Sequence, residues 1–170
     1  MHHHRATASL ALTVLLLAPG ALPAAEEVAA GLRAYAEGDY QRAADGLQQA
    51  AAKGHPEAQR VLGVMQLLGQ GTPQDPVSAA RWIQSSARLG NSGAQELMSY
   101  LLTQGLGVDK DYGQAYAWLK LVALRTDDPA RASTIQTAIA RLTSTMSKEQ
   151  LARARALSRD YCSKFLHPFL

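Results

Sequence analysis

Apolar residues recur along this chain at helical spacing, and the stretches they mark come in pairs. Ala58, Val61, Leu62, Met65 and Leu68 share one side of a helix, and Ala79, Trp82, Ile83, Ser86 and Ala87 form the inward stripe of the next. Gly54 ends the helix before this pair, and His55-Pro56-Glu57 opens it, with proline at a first helical position where its missing N–H had no partner anyway. Gly69-Gln70-Gly71 stops the first helix, because glycine takes positive φ without penalty. Asp75 caps the second helix and Pro76 follows it.

The pattern then repeats 36 residues on, from Gly90. Ala58/Ala94, Gly69/Gly105, Gly71/Gly107, Asp75/Asp111, Ala79/Ala115, Trp82/Trp118 and Ala87/Ala123 fall in step. Asp111 with Gln114 three residues later has the form of a capping box. Asp39, Ala43, Ala51 and Gly54 carry the register backwards into a degenerate unit, residues 26–53, with a shorter turn at Gly38-Asp39 and Gly46 where the later copies have Trp. A fixed period of this size means stacked helical hairpins that hide their apolar stripes only against one another, and it points to recognition rather than chemistry. Small residues (Ala58, Gly63, Ala79, Ala87) let backbones approach closely, and Trp82 and Trp118 are expected to fill the space between pairs.

Beyond Arg125 the period ends. Asp127-Asp128-Pro129 begins a helix with Ile135, Ala138, Ile139 and Leu142 on one side. Ser147-Lys148-Glu149-Gln150 is a capping box that starts a last helix, with Leu151, Ala154, Leu157, Tyr161 and Phe165 inward and arginines outward. Two added helices with a polar outer face are what an open stack needs to stay soluble. The expected organisation is a leader at 1–25, repeats at 26–126 (26–53, 54–89, 90–126) and a helical cap at 127–170. That makes an all-α chain of eight helices with essentially no strand, ending in a short apolar tail, HPFL.

The strings AQRVLGVMQLLGQGTPQDPVSAARWIQSSARLG and its second copy resemble the Sel1-like repeat family, a relative of the tetratricopeptide repeat with a longer loop between its helices. The match runs through Ala58, Leu62-Gly63, Gly69, Gly71, Asp75, Ala79, Trp82, Ala87 and Gly90, then Ala94, Gly105, Gly107-Val108, Asp111, Ala115, Trp118 and Ala123. It departs at Met98-Ser99, where the family has Leu-Gly, and at Gln66 and Leu102, where the family has Tyr. The segment TSTMSKEQLARARALSRDY resembles the terminal helix often attached to bacterial members. The resemblance implies a right-handed α-solenoid acting as an adaptor or scaffold in protein complexes, with no catalytic residues.

Length and charge refine this picture. At 170 residues the chain allows one domain. MHHHR, an apolar core at Leu10–Ala18, Pro19-Gly20 and small residues up to Ala24 or Ala25 have the form of an export signal. The alternative, a retained anchor, is disfavoured because the apolar run falls well short of the ~20 residues a spanning helix needs. The expected destination is the periplasm or the medium. Cys162 is the single cysteine, so packing rather than an internal disulfide must hold an exported fold. The net charge of +3 is uneven. Residues 26–140 carry ten Lys/Arg against twelve Asp/Glu, whereas residues 141–170 carry Arg141, Lys148, Arg153, Arg155, Arg159 and Lys164 against Glu149 and Asp160. The basic end suits weak contact with anionic lipid or wall polymer.

No catalytic set emerges. Beyond the leader the histidines are His55, at a helix start where the second copy has Asn91, and His167 in the tail. Asp109/Asp111 and Asp127/Asp128 suit helix capping, and the GQG and GLG strings lack the strand context and lysine of a phosphate loop. Neither metal nor cofactor is implied, and a modest charge with core-bound aromatics disfavours nucleic acid. The leading expectation is a monomeric, non-catalytic binding module. Its first helices present a polar inner face through Arg33, Arg60, Gln66, Glu96, Ser99 and Tyr100 to a peptide or partner helix. An envelope hydrolase acting on wall material or a β-lactam, and a structural protein resting on membrane through its basic last helix, are the alternatives.

Overall fold

The computed structural model describes residues 24–165, which form eight α-helices and, among the described residues, no strand. The apolar core of the expected leader and the tail from His167 lie outside the described residues. The helices are α1 (Ala24–Glu37), α2 (Tyr40–Ala52), α3 (Pro56–Leu68), α4 (Pro76–Arg88), α5 (Ser92–Gln104), α6 (Tyr112–Arg125), α7 (Pro129–Ser144) and α8 (Lys148–Phe165). Each packs on its chain neighbours from α1 to α7, so α1/α2, α3/α4 and α5/α6 are hairpins laid side by side in an α-solenoid. One apolar cluster joins α1 to α3 and a second runs from α4 to α8.

Local chemistry fixes the hairpin ends. His55 Nδ1 accepts from the Ala58 N–H at 3.4 Å, and its counterpart Asn91 accepts from Ala94 N–H at 2.9 Å, so both serve as N-caps. Asp75 caps α4 through the N–H groups of Val77 and Ser78, Asp111 caps α6, and Asp128 caps α7. Gly69 and Gly105 close α3 and α5 in the left-handed region, at φ of 71° and 74°. The period extends to a feature the sequence pattern did not announce. Gln59 Nε2 donates to the Ala51 carbonyl, and Gln95 Nε2 donates to the Ala87 carbonyl, each buried and each at 3.0 Å. Every first helix from α3 to α5 is thereby tied to the last turn of the hairpin before it.

Several expectations require correction. Leu68, the last residue of α3, is exposed. Trp118 is 1% exposed, but Trp82 is only half-buried against the first cluster. The difference lies in α8, which runs along α6 and covers Trp118 with Tyr161 and Phe165, at ring-centroid distances of 4.9 and 5.4 Å. Among the described helices, none packs along α4 in that way. The surface chemistry agrees: α6 buries Ala117 and Leu121 where α4 carries the exposed Arg81 and the half-buried Ser85. Gln114 does not close a capping box, since its amide donates to Asp111 Oδ2 while the Asp111 N–H donates to the Leu102 carbonyl. The box at Ser147 and Gln150 does form, with reciprocal bonds of 2.8 and 3.2 Å.

The cap is not a hairpin like the others. Both α7 and α8 pack on α6 and make little contact with each other. Thus α7 takes the place of a further first helix beside α5, while α8 lies on a separate side of α6.

A candidate binding surface on the first helices

The functional residues expected on the inner face are Arg33, Arg60, Gln66, Glu96, Ser99 and Tyr100. Arg33 is exposed on α1. On α3, Arg60 grips Glu57 through both guanidinium and carboxylate arms, and Glu57 also accepts from Asn91 Nδ2 at 2.8 Å. The Arg60 hydrogen bond holds the Glu57 carboxyl below its ordinary range against the opposing effect of burial. Gln66 is half-buried near the end of α3, with its Oε1 shielded and unpartnered. On α5, Glu96 is bound by Arg131 of α7, through Nε at 3.0 Å and through Nη2, and Arg131 Nη2 also donates to Ser92 Oγ at 3.1 Å. Tyr100 is 52% exposed, the expected state. Ser99 is not: it is 3% exposed, because it faces the α5–α6 crossing.

That crossing differs from its counterpart one repeat earlier. A Cβ on Gly63 would lie 2.7 Å from Ile83 Cγ1 and 3.0 Å from the Ala79 carbonyl oxygen, so α3 and α4 are in contact there. Ser99 and Leu119 replace Gly63 and Ile83 in the second copy, and a side chain at 99 rules out the same approach. Over this pair lies a half-open cavity of about 510 Å³. One wall is α5, with Glu96, Ser99, Tyr100 and Thr103; the other is α7, with Ile135, Ala138 and Leu142; Tyr112 and Leu119 of α6 form the floor.

The structure therefore brings Glu96, Ser99 and Tyr100 to one cavity and leaves Arg33, Arg60 and Gln66 outside its lining. Sequence reasoning missed the α7 wall. It took Ile135, Ala138 and Leu142 as packing residues of a cap, which they are, with Ile135 and Leu142 buried in the second cluster; that the same stripe also walls a cavity was not read.

Among the described residues there is no cluster of His, Cys, Asp or Glu able to hold a metal ion. No described helix is long and apolar enough to cross a membrane. Cys162 is half-buried against the second cluster, and burial pushes its thiol pKa up, away from the reactive thiolate.

The stacked hairpins define a helical-repeat protein. Residues 56–91 and 92–127 match the Sel1 repeat model, so the chain carries two repeats of a family whose members are generally protein-interaction scaffolds. It is similar to the crystal structure of a protective antigen of uropathogenic Escherichia coli displaying an SLR fold, with a TM-score of 0.76 and 29% identity over 84% of this chain and 30% of that one. It is also similar to a Sel1 repeat protein from Oxalobacter formigenes, with a TM-score of 0.58 and 25% identity over 69% of this chain and 58% of that one. The chain spans about a third of the length of the first relative and under two thirds of the second. No curated protein sequence matches it.

Proposed function

We propose that this chain is a non-catalytic scaffold of the bacterial cell envelope that receives a peptide segment or a partner's helix on the face formed by α3, α5 and α7. The observation that carries this reading is the half-open cavity between α5 and α7, with an apolar floor and the exposed ring of Tyr100 at its edge. Its volume of about 510 Å³ falls within the range of pockets that anchor a ligand or a large side chain. Tyrosine at the rim of such a pocket supplies contact area at low entropic cost. The envelope location rests on the form of the leader, with its apolar core and small residues before Ala25.

The experiment is affinity capture from envelope extract with the wild-type chain, with Tyr100→Ala, and with Ala138→Phe, which fills the cavity. The reading expects discrete partners on the wild type that both variants lose while their melting curves remain cooperative. Equal recovery on all three chains would overturn the assignment of this face.

A further inference from the structure

We infer that the slot between α5 and α7 takes an acidic peptide segment, with one large apolar side chain seated on Leu119, Ile135 and Leu142 and a carboxylate beyond it on Arg141. This rests on the proposed use of the first-helix face and names the partner's chemistry.

The slot has two unlike ends. At one, Arg131 is consumed by Glu96 and Ser92, so the bridge between α5 and α7 is closed and neutral. At the other stands Arg141, exposed on the lining, whose guanidinium has no hydrogen-bond or ion-pair partner among the described residues. Ten residues of helix separate the two arginines, about 15 Å at 1.5 Å per residue. An extended segment of a few residues fits that length with its apolar anchor mid-slot.

A second cavity, of about 560 Å³, adjoins the slot at Tyr112 and carries Lys110 and Arg153. The same lining carries the Asp111 carboxylate, which accepts from the N–H and the side-chain amide of Gln114 and keeps its negative charge. Asp109, on the same loop, lines neither cavity. Among the described residues, Arg141 is thus the unpaired cation of the slot's own lining, and an incoming carboxylate is its complementary group.

A peptide suits the walls better than a fatty acid does. Thr103, Thr134 and Thr145 each donate their hydroxyl hydrogen to a carbonyl of their own helix. Their lone pairs remain able to accept from peptide N–H groups, which an acyl chain does not possess.

The test is fluorescence anisotropy with short, dye-labelled Gly/Ser peptides carrying Trp-Asp-Asp, Trp-Lys-Lys or Gly-Asp-Asp. Each is titrated with the wild-type chain and with Arg141→Glu, Ala138→Phe and the distant control Arg155→Glu. The expected result is preferential binding of the Trp-Asp-Asp peptide, weakened about tenfold by Arg141→Glu, lost with Ala138→Phe and unchanged by Arg155→Glu. Equal affinity for the Asp and Lys peptides, or indifference to Arg141→Glu, would sink the acidic preference while leaving the scaffold reading intact. Failure of every peptide in a slot still needed for partner capture would overturn the extended-peptide occupant, as would tighter, Arg141-dependent binding of dodecanoate. Loss of partner capture dependence on Tyr100 and Ala138 would instead remove the underlying reading.

Discussion

A Cβ on Gly107 would lie 1.9 Å from the carbonyl oxygen of Pro76, and Gly71 stands in the same relation to Tyr40, at 2.1 Å. In both copies the loop between paired helices presses its second glycine onto the start of the preceding hairpin's second helix. The conformation, with φ of 65° and 69°, and the absence of a side chain are both required. Gly107→Ala is therefore expected to cost more than ~3 kcal/mol, from left-handed strain together with displaced backbone. Gly54→Ala, at φ 89° with nothing within 4 Å of its added Cβ, should cost only the conformational ~1 kcal/mol. Urea denaturation of the two variants separates contact from strain.

The two tryptophans should no longer behave alike. Trp118→Ala removes a side chain enclosed by α6, Tyr161 and Phe165 and is expected to cost ~3–5 kcal/mol. Trp82 is half-buried, so Trp82→Ala should cost roughly half as much. Equal penalties would mean that α8 does not cover Trp118 in solution.

Acid should loosen the α3–α5 contact through Glu57. Its folded pKa lies below the ordinary 4.5, chiefly through the Arg60 hydrogen bond, with Asn91 adding to it and burial opposing it. A depressed carboxylate pKa contributes stability that is fully present above the unfolded value and is lost as pH falls through the folded one. Stability should thus decline from about pH 5 downward, and Glu57→Gln should flatten that limb of the curve while leaving stability below it unchanged. A chemical-denaturation series across pH 3 to 7, run on both chains at one ionic strength, checks the slope.

Breaking the bridge between α5 and α7 should widen the slot rather than unfold the chain. The Arg131–Glu96 pair is about two-fifths exposed on both sides, so Arg131→Ala is expected to cost ~1 kcal/mol or less. Faster amide exchange confined to α7, with α3 to α6 unchanged, is the expected signature.

Much of the fold was legible because its determinants are local and repeated. Asp75, Asp111 and the turn glycines act within a few residues of their own position, so spacing alone revealed the hairpins. The placement of α8 was less legible, because capping at Ser147 fixes where a helix begins and not which neighbour it chooses. Here the clue lay in α6, whose buried Ala117 and Leu121 stand where α4 has Arg81 and Ser85. The candidate site was legible in part. Tyr100 and Glu96 were placed by repeat register, but the cavity they line lies at a crossing where Ser99 and Leu119 replace Gly63 and Ile83, and it shows only once the helices are packed. Its second wall comes from α7, outside the period, where no register existed to extend.

The central claim, that partners engage the face of α5 and α7, is tested most directly by site-specific photocrosslinking. A photoreactive side chain is placed at Tyr100, or at Arg81 on the exposed side of α4. The account predicts a discrete adduct from position 100 that disappears when Ala138→Phe fills the slot, and none from position 81. An adduct confined to position 81, or one at 100 that survives filling of the slot, would contradict it.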